Sequence, residues 1–302
     1  MDSIRNTREE NAPVVQLLML GFYAVIGLIV ASVIGFALVY LQYGGNILSD
    51  MSWLSDADPY HLPAQRILLV AQQVGLFLVP AWLLARTEGK RVGVFYGFKK
   101  PDAGLLLVVL GLMIGAMPLL EWVTQLNQKM TFPDALKGLE AWMKAAEEQG
   151  MKTTEALLKM EHIGIFLINL AMIAVLPALA EELMFRGGLQ RAFGRMFNNV
   201  HLAIWLSAFI FSAIHLQFYG FFPRLFLGAA FGYLYVWSGS LWYAIFGHFI
   251  NNGYAVCAAW YMQKNNIPLS EADKTMQIGW YGYIISAVLT FLLFRYFKKQ
   301  TE

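Results

Sequence analysis

Residues 175–193 read VLPALAEELMFRGGLQRAF, and they close a run from Ile163 to Ala180 that carries no formal charge. Those 18 residues come close to the roughly 20 that a helix needs to cross a bilayer. Glu181, Glu182 and Arg186 then stand where an ionisable group costs about 2.5–3.5 kcal/mol even on the mildest scale, so they must face a protein interior and mark function. Composition fixes the same solvent for the rest of the chain. Hydrophobic residues make up 58% of it and charged residues 14%, with a mean hydropathy of +0.52, far from a soluble domain. The chain reads as an all-α polytopic membrane bundle. A net charge of +2 offers no handle for nucleic acid, and the single cysteine, Cys257, excludes an internal disulfide.

Outward from this stretch, apolar runs bounded by charges or turn residues define about eight transmembrane helices, near 14–42, 65–86, 103–125, 162–183, 201–219, 222–238, 241–263 and 277–296. The sixth and seventh share one uncharged run and are divided at Ser238-Gly239-Ser240. The first is too long for a signal-peptide core and is expected to stay. With eight crossings both termini share a side, and that side holds most of the lysines and arginines, Arg5, Arg8, Arg295, Lys298 and Lys299 among them. The termini are therefore expected to be cytoplasmic. Residues 1–302 form one transmembrane domain, with residues 126–160 as a non-cytoplasmic insertion of one or two amphipathic helices. Nothing in that insertion has catalytic spacing.

Three polar pairs recur at helical spacing: Glu182 with Arg186, Phe211 with His215, and His248 with Asn252. Four residues apart, each pair lies on one helix face. Glu182 precedes Arg186 in the favourable order for an ion pair, whereas Glu181, rotated by about 100°, points elsewhere and suits a general base. Pro177 loosens the helix just before it. Gly187-Gly188 is expected to relax the helix after it, and Gly228 with Gly232 to permit close packing. Gln72 and Gln73 read as helix contacts, and Glu121 as an interfacial acid.

These motifs, two glutamates followed three residues later by an arginine, Phe-x-x-x-His and His-x-x-x-Asn, resemble the CAAX protease and bacteriocin-processing (CPBP, or Abi) family of intramembrane endopeptidases, to which the type II CAAX prenyl endopeptidase is related. The resemblance covers residues 158–258, the expected catalytic core, and no motif reaches the first three helices. It implies hydrolysis of a peptide bond in a membrane-associated or lipid-modified protein or peptide, such as a prenylated or bacteriocin-like substrate, at a site open to the cytoplasm in a bacterial-type plasma membrane. Two mechanisms fit these residues. In one, Glu181 with His215 activates water while His248 and Asn252 bind the oxyanion, with Glu182, Arg186 and Phe211 in support and no cofactor. In the other, the one implied by the family's frequent metalloprotease label, His215, His248 and Glu181 hold zinc. The first is preferred, because a His-Glu-x-x-His helix is missing and an amide is a poor zinc ligand. The rivals from other classes are a proton- or ion-coupled transporter, which the lack of an inverted repeat disfavours, and a non-catalytic scaffold or immunity protein, which the intact motifs disfavour.

Overall fold

Long uncharged runs become long helices. In the computed structural model, which describes residues 9–56, 58–269 and 278–301, the longer helices are α1 (Pro13–Tyr43), α2 (Leu62–Thr87), α3 (Ala103–Gln128), the charged α4 (Lys137–Leu157), α5 (Ile163–Phe197), α6 (Val200–Ala213), α7 (Phe221–Ser238), α8 (Leu241–Lys264) and α9 (Trp280–Thr301). No strand occurs among the described residues, and Arg5 and Arg8 lie outside them. Five helices, α1, α2, α3, α5 and α9, are long and apolar enough to cross a membrane. The eight expected spans each coincide with a helix, but three fall short of that measure. The 14 residues of α6 extend only about 21 Å, and it stops at Ala213 rather than near 219 because Leu216 turns into the left-handed region at φ +54°. Meanwhile α7 and α8 carry Arg224, His248, Asn251 and Asn252, which lower their hydropathy.

Lipid-facing and core-facing sides separate as hydropathy requires. Leu18, Phe22, Val25 and Ile29 of α1 are exposed at helical spacing, whereas Leu20 and Ala24 join the central cluster with Phe185, Phe211 and Phe231. Close crossings rest on glycine. A Cβ on Gly27 of α1 would collide with the carbonyl oxygen of Gly75 in α2, and one on Gly187 with the buried ring of Tyr96. Gly187-Gly188 thus admits neighbours.

The N-terminal segment, the α2–α3 connection and the end of α5 meet on one face. Glu10 accepts from Arg191 at 2.6 and 2.7 Å, pairs with Arg195 at 3.2 Å and binds Lys90. Burial opposes charge on Glu10, but the hydrogen bonds from Arg191 and Lys90 outweigh it and lower its carboxyl from 4.5 to about 2. A depressed carboxyl stabilises the fold above its unfolded value, so this anchor weakens only as pH falls from about 4.5 towards 2. The α7–α8 turn at Gly239, φ +61°, reaches the same face, where Leu241 N donates to Gly97 O at 3.1 Å. Lys298 of α9 lies over Trp237, 5.8 Å from its ring centroid. On the opposite face α4 lies across the α6–α7 connection: Glu147 Oε2 accepts from Tyr219 N at 3.0 Å, and Lys144 sits 5.9 Å from the Tyr219 ring centroid.

Two prolines interrupt membrane helices next to widened turns. Pro80 and Pro177 each follow a π-helical stretch, Val74–Leu78 and Leu170–Val175, in which the wider turn makes room for the ring. A third π stretch, Leu183–Gln190, begins directly after Glu182. Pro118 breaks α3 differently. Ser286 of α9 accepts from Leu119 N at 3.0 Å and donates to Gly115 O at 2.5 Å, which inserts a hydroxyl into the opened ladder.

Candidate active site

Glu181 and Glu182 end the short α-helical stretch Leu176–Glu182 between two π segments, and both are buried, 4% and 0% exposed. Such π segments recur at functional positions because they displace side chains from the regular stripe. Glu182 is the hub. Its Oε1 accepts from Arg186 Nη1 at 2.8 Å and from His248 Nδ1 at 2.8 Å. Arg186 in turn donates through Nη2 to Gly228 O at 2.9 Å and lies between the Phe211 and Phe231 rings, 4.6 and 5.4 Å from their centroids. A guanidinium held this way loses little freedom on pairing. Glycine at 228 and 232 is what lets α7 approach: a Cβ on Gly228 would sit 3.2 Å from Arg186 Nη2, and one on Gly232 2.6 Å from Gln190 Oε1.

Because an ionised carboxylate only accepts, the bond to Glu182 places a proton on His248 Nδ1 and turns Nε2 towards Glu181. There Nε2 stands 3.8 Å from Glu181 Oε2, beyond hydrogen-bond length and within the span of one bridging water. Phe231 stacks on the imidazole, centroids 5.4 Å apart at 12°, and fixes its plane. Glu181 Oε1 accepts from Gln73 Nε2 of α2 at 3.0 Å. Gln73 is therefore more than the helix contact expected of it, since it touches the carboxylate itself. Two buried acceptors, Gln73 Oε1 and Glu182 Oε2, have no protein donor, the surroundings a water molecule requires.

His215 and Asn252 stand apart from this pair of carboxylates. His215 lies just beyond the end of α6, where its Nδ1 donates to Phe211 O at 2.7 Å, leaving Nε2 as its acceptor. No contact under 4 Å joins it to Glu181 or Glu182, although it interacts electrostatically with His248. Phe211 is the spacer, with centroids 5.2 Å from His215 and 6.0 Å from His248. Asn252 Nδ2 donates to Ile173 O at 3.0 Å. Pro177 has no N–H to offer that carbonyl four residues back, so Asn252 mends the break and ties α8 to the turn that leads into Glu181. If so, Asn252→Ala should cost about 1–3 kcal/mol of stability through the orphaned carbonyl, and Pro177→Ala, which restores the N–H, should recover part of it. Thermal unfolding of the two single variants and the double variant measures this. Equal losses in both backgrounds would remove the link.

For zinc, the donor geometry does not suit the set His215, His248 and Glu181. Both nitrogens of His248 face carboxylates, His215 Nδ1 is bound to Phe211 O, and among the described residues no three His, Cys, Asp or Glu side chains gather as a metal site requires.

An apolar cleft of about 700 Å³ runs between α1, α2 and α5, lined by Ile34, Val70, Val74, Met172 and Leu176. Its lining residues Val74 and Leu176 precede or follow the site in sequence, Val74 directly after Gln73 and Leu176 five residues before Glu181.

Residues 163–254 match the family described as type II CAAX prenyl endopeptidase Rce1-like, and they include every residue of the three motifs. Over 93 residues the chain is 28% identical to the uncharacterized protein YpbD of Bacillus subtilis (strain 168), which covers 30% of this chain and 44% of that protein. No solved structure matches. The buried Glu182–Arg186–His248 cluster lies inside the stretch that is similar to this family.

Proposed function

We propose that the chain is an intramembrane endopeptidase in which Glu181 activates water against a peptide carbonyl. The observation that carries this reading is the 3.8 Å separation between Glu181 Oε2 and His248 Nε2, with the opposite edges of both groups already committed to Gln73 and Glu182. Water held there loses a proton to Glu181 as its oxygen attacks the carbonyl carbon. The carbon–nitrogen bond then breaks, and the proton passes from Glu181 to the leaving amine. The oxyanion meets donors on α8: the second amide N–H of Asn252, and His248 in its protonated form. His215 Nε2, unused by the fold, is available on the substrate side. Glu182, paired with Arg186, holds His248 in one tautomer, while Phe231 stacked on the ring and Phe211 at its edge hold its plane.

The apolar cleft between α1, α2 and α5 supports a substrate that is membrane-associated or lipid-modified, and the basic residues gathered on the face of the termini support a cytoplasmic position for that face. Zinc remains the second reading, favoured by residue types rather than by their placement. Protein purified without a nickel column is expected to cleave a membrane peptide while mass spectrometry finds less than stoichiometric metal. About one zinc per chain, lost together with activity in His215→Ala plus His248→Ala, would replace the water-only mechanism with the metal one.

A further inference from the structure

Arg224 lies in the first turn of α7 (Phe221–Ser238), where the helix dipole disfavours a cation. Unlike Arg186, Arg191 and Arg195, it has no carboxylate within 4 Å among the described residues. Its Nη2 donates to the side-chain amide oxygen of Gln217 at 2.6 Å, and its Nη1 is buried without any partner in the protein. The side chain folds over Gly220, where a Cβ would sit 3.1 Å from Nη2. Charge interactions link it to His215, Glu181 and Glu147. Yet these are interactions at a distance: Glu147 Oε2 accepts from Tyr219 N, Glu181 Oε1 from Gln73, and neither carboxylate pairs with Arg224. A half-buried guanidinium at a helix N-terminus, satisfied by one neutral amide, calls for an anion. Its planar fork, with one nitrogen already at a side-chain oxygen and the other open, matches a carboxylate.

We propose that Arg224 and Gln217 form a carboxylate-binding subsite beside His215 that anchors an anionic group of the peptide substrate. That the anion belongs to the substrate rests on the proteolytic reading; that the subsite binds a carboxylate does not. Two sources share the chemistry, the free C-terminus of a peptide and an acidic side chain within one. The anchor is separate from the glutamate pair, so the carboxylate fixes which peptide bond reaches Glu181 without taking part in its cleavage.

The test reads binding rather than turnover. Thermal unfolding of the detergent-purified full chain is followed with acetyl-Ala-Leu-Leu as free acid, the same peptide as C-terminal amide, and acetyl-Leu-Asp-Leu-amide. The free acid, or the aspartyl peptide if the source is a side chain, is expected to raise the unfolding temperature where the neutral amide does not, and Arg224→Met to lose that difference. Should Arg224→Met fail to fold, Gln217→Glu decides. It places a carboxylate where an oxygen already accepts from Nη2, so it should raise the unfolding temperature without peptide and abolish the response to peptide. Equal shifts with acid and neutral peptides, no shift with any, or a Gln217→Glu protein that still responds would each overturn the subsite. A chain that binds the acid but cleaves no peptide loses the proteolytic reading and keeps the subsite; one that cleaves acid and amide peptides alike, with no binding difference, loses the subsite alone.

Discussion

Glu181→Gln is expected to cut cleavage of a membrane peptide by a factor of about 10²–10⁴, the usual contribution of a general base, and to leave the protein at least as stable as before. The substitution keeps the side-chain oxygen that accepts from Gln73 Nε2 and removes a charge from a site 4% exposed, so folding has nothing to lose. What disappears is the group that takes the proton. Cleavage by Glu181→Gln at the wild-type rate would sink the mechanism. Loss of gradient-driven flux with no cleavage in either protein would favour a transporter, and an unchanged phenotype would favour a scaffold.

Arg186→Met is expected to act in the opposite way, destabilising the fold by about 3–5 kcal/mol, because it strands the carboxylate of Glu182 in a fully buried position. Glu182 is 0% and Arg186 1% exposed. The variant also loses the bond to Gly228 O and the contact between two phenylalanine rings, so α7 loosens from α5. Adding Glu182→Gln should restore part of the loss, since an uncharged amide no longer needs the guanidinium and still offers His248 an oxygen. Thermal unfolding in detergent of the single and double variants reads both effects. An Arg186→Met protein as stable as wild type would show that this pair does not hold the helices.

Much of this was legible because hydropathy and spacing are local. Ile163 to Ala180 announces a membrane helix, and Glu182 four residues before Arg186 announces the ion pair that forms. Harder to read were the partners that other helices bring. A lone glutamine in an apolar helix looks like a packing contact, and only the fold reveals that Gln73 meets Glu181 across 108 positions of sequence. The end of α6 at Ala213 depends on a single left-handed residue, Leu216, for which leucine gives no signal. Nor does the motif spacing disclose that Asn252 serves the carbonyl left by Pro177, since a polar side chain four residues after a histidine looks the same whether it faces substrate or backbone.

The π segments give α5 an angular phase that depends on residue count. An α-helix advances about 100° per residue, so one supernumerary residue absorbed in Leu183–Gln190 sets how far Glu181 and Glu182 are turned relative to Arg191, which is fastened to Glu10. Removing a single residue there would let the stretch relax to ordinary α geometry, with its hydropathy intact, and swing both carboxylates out of line with His248. In this helix chain length acts as a screw setting, and a deletion invisible to hydropathy would be more damaging than many substitutions.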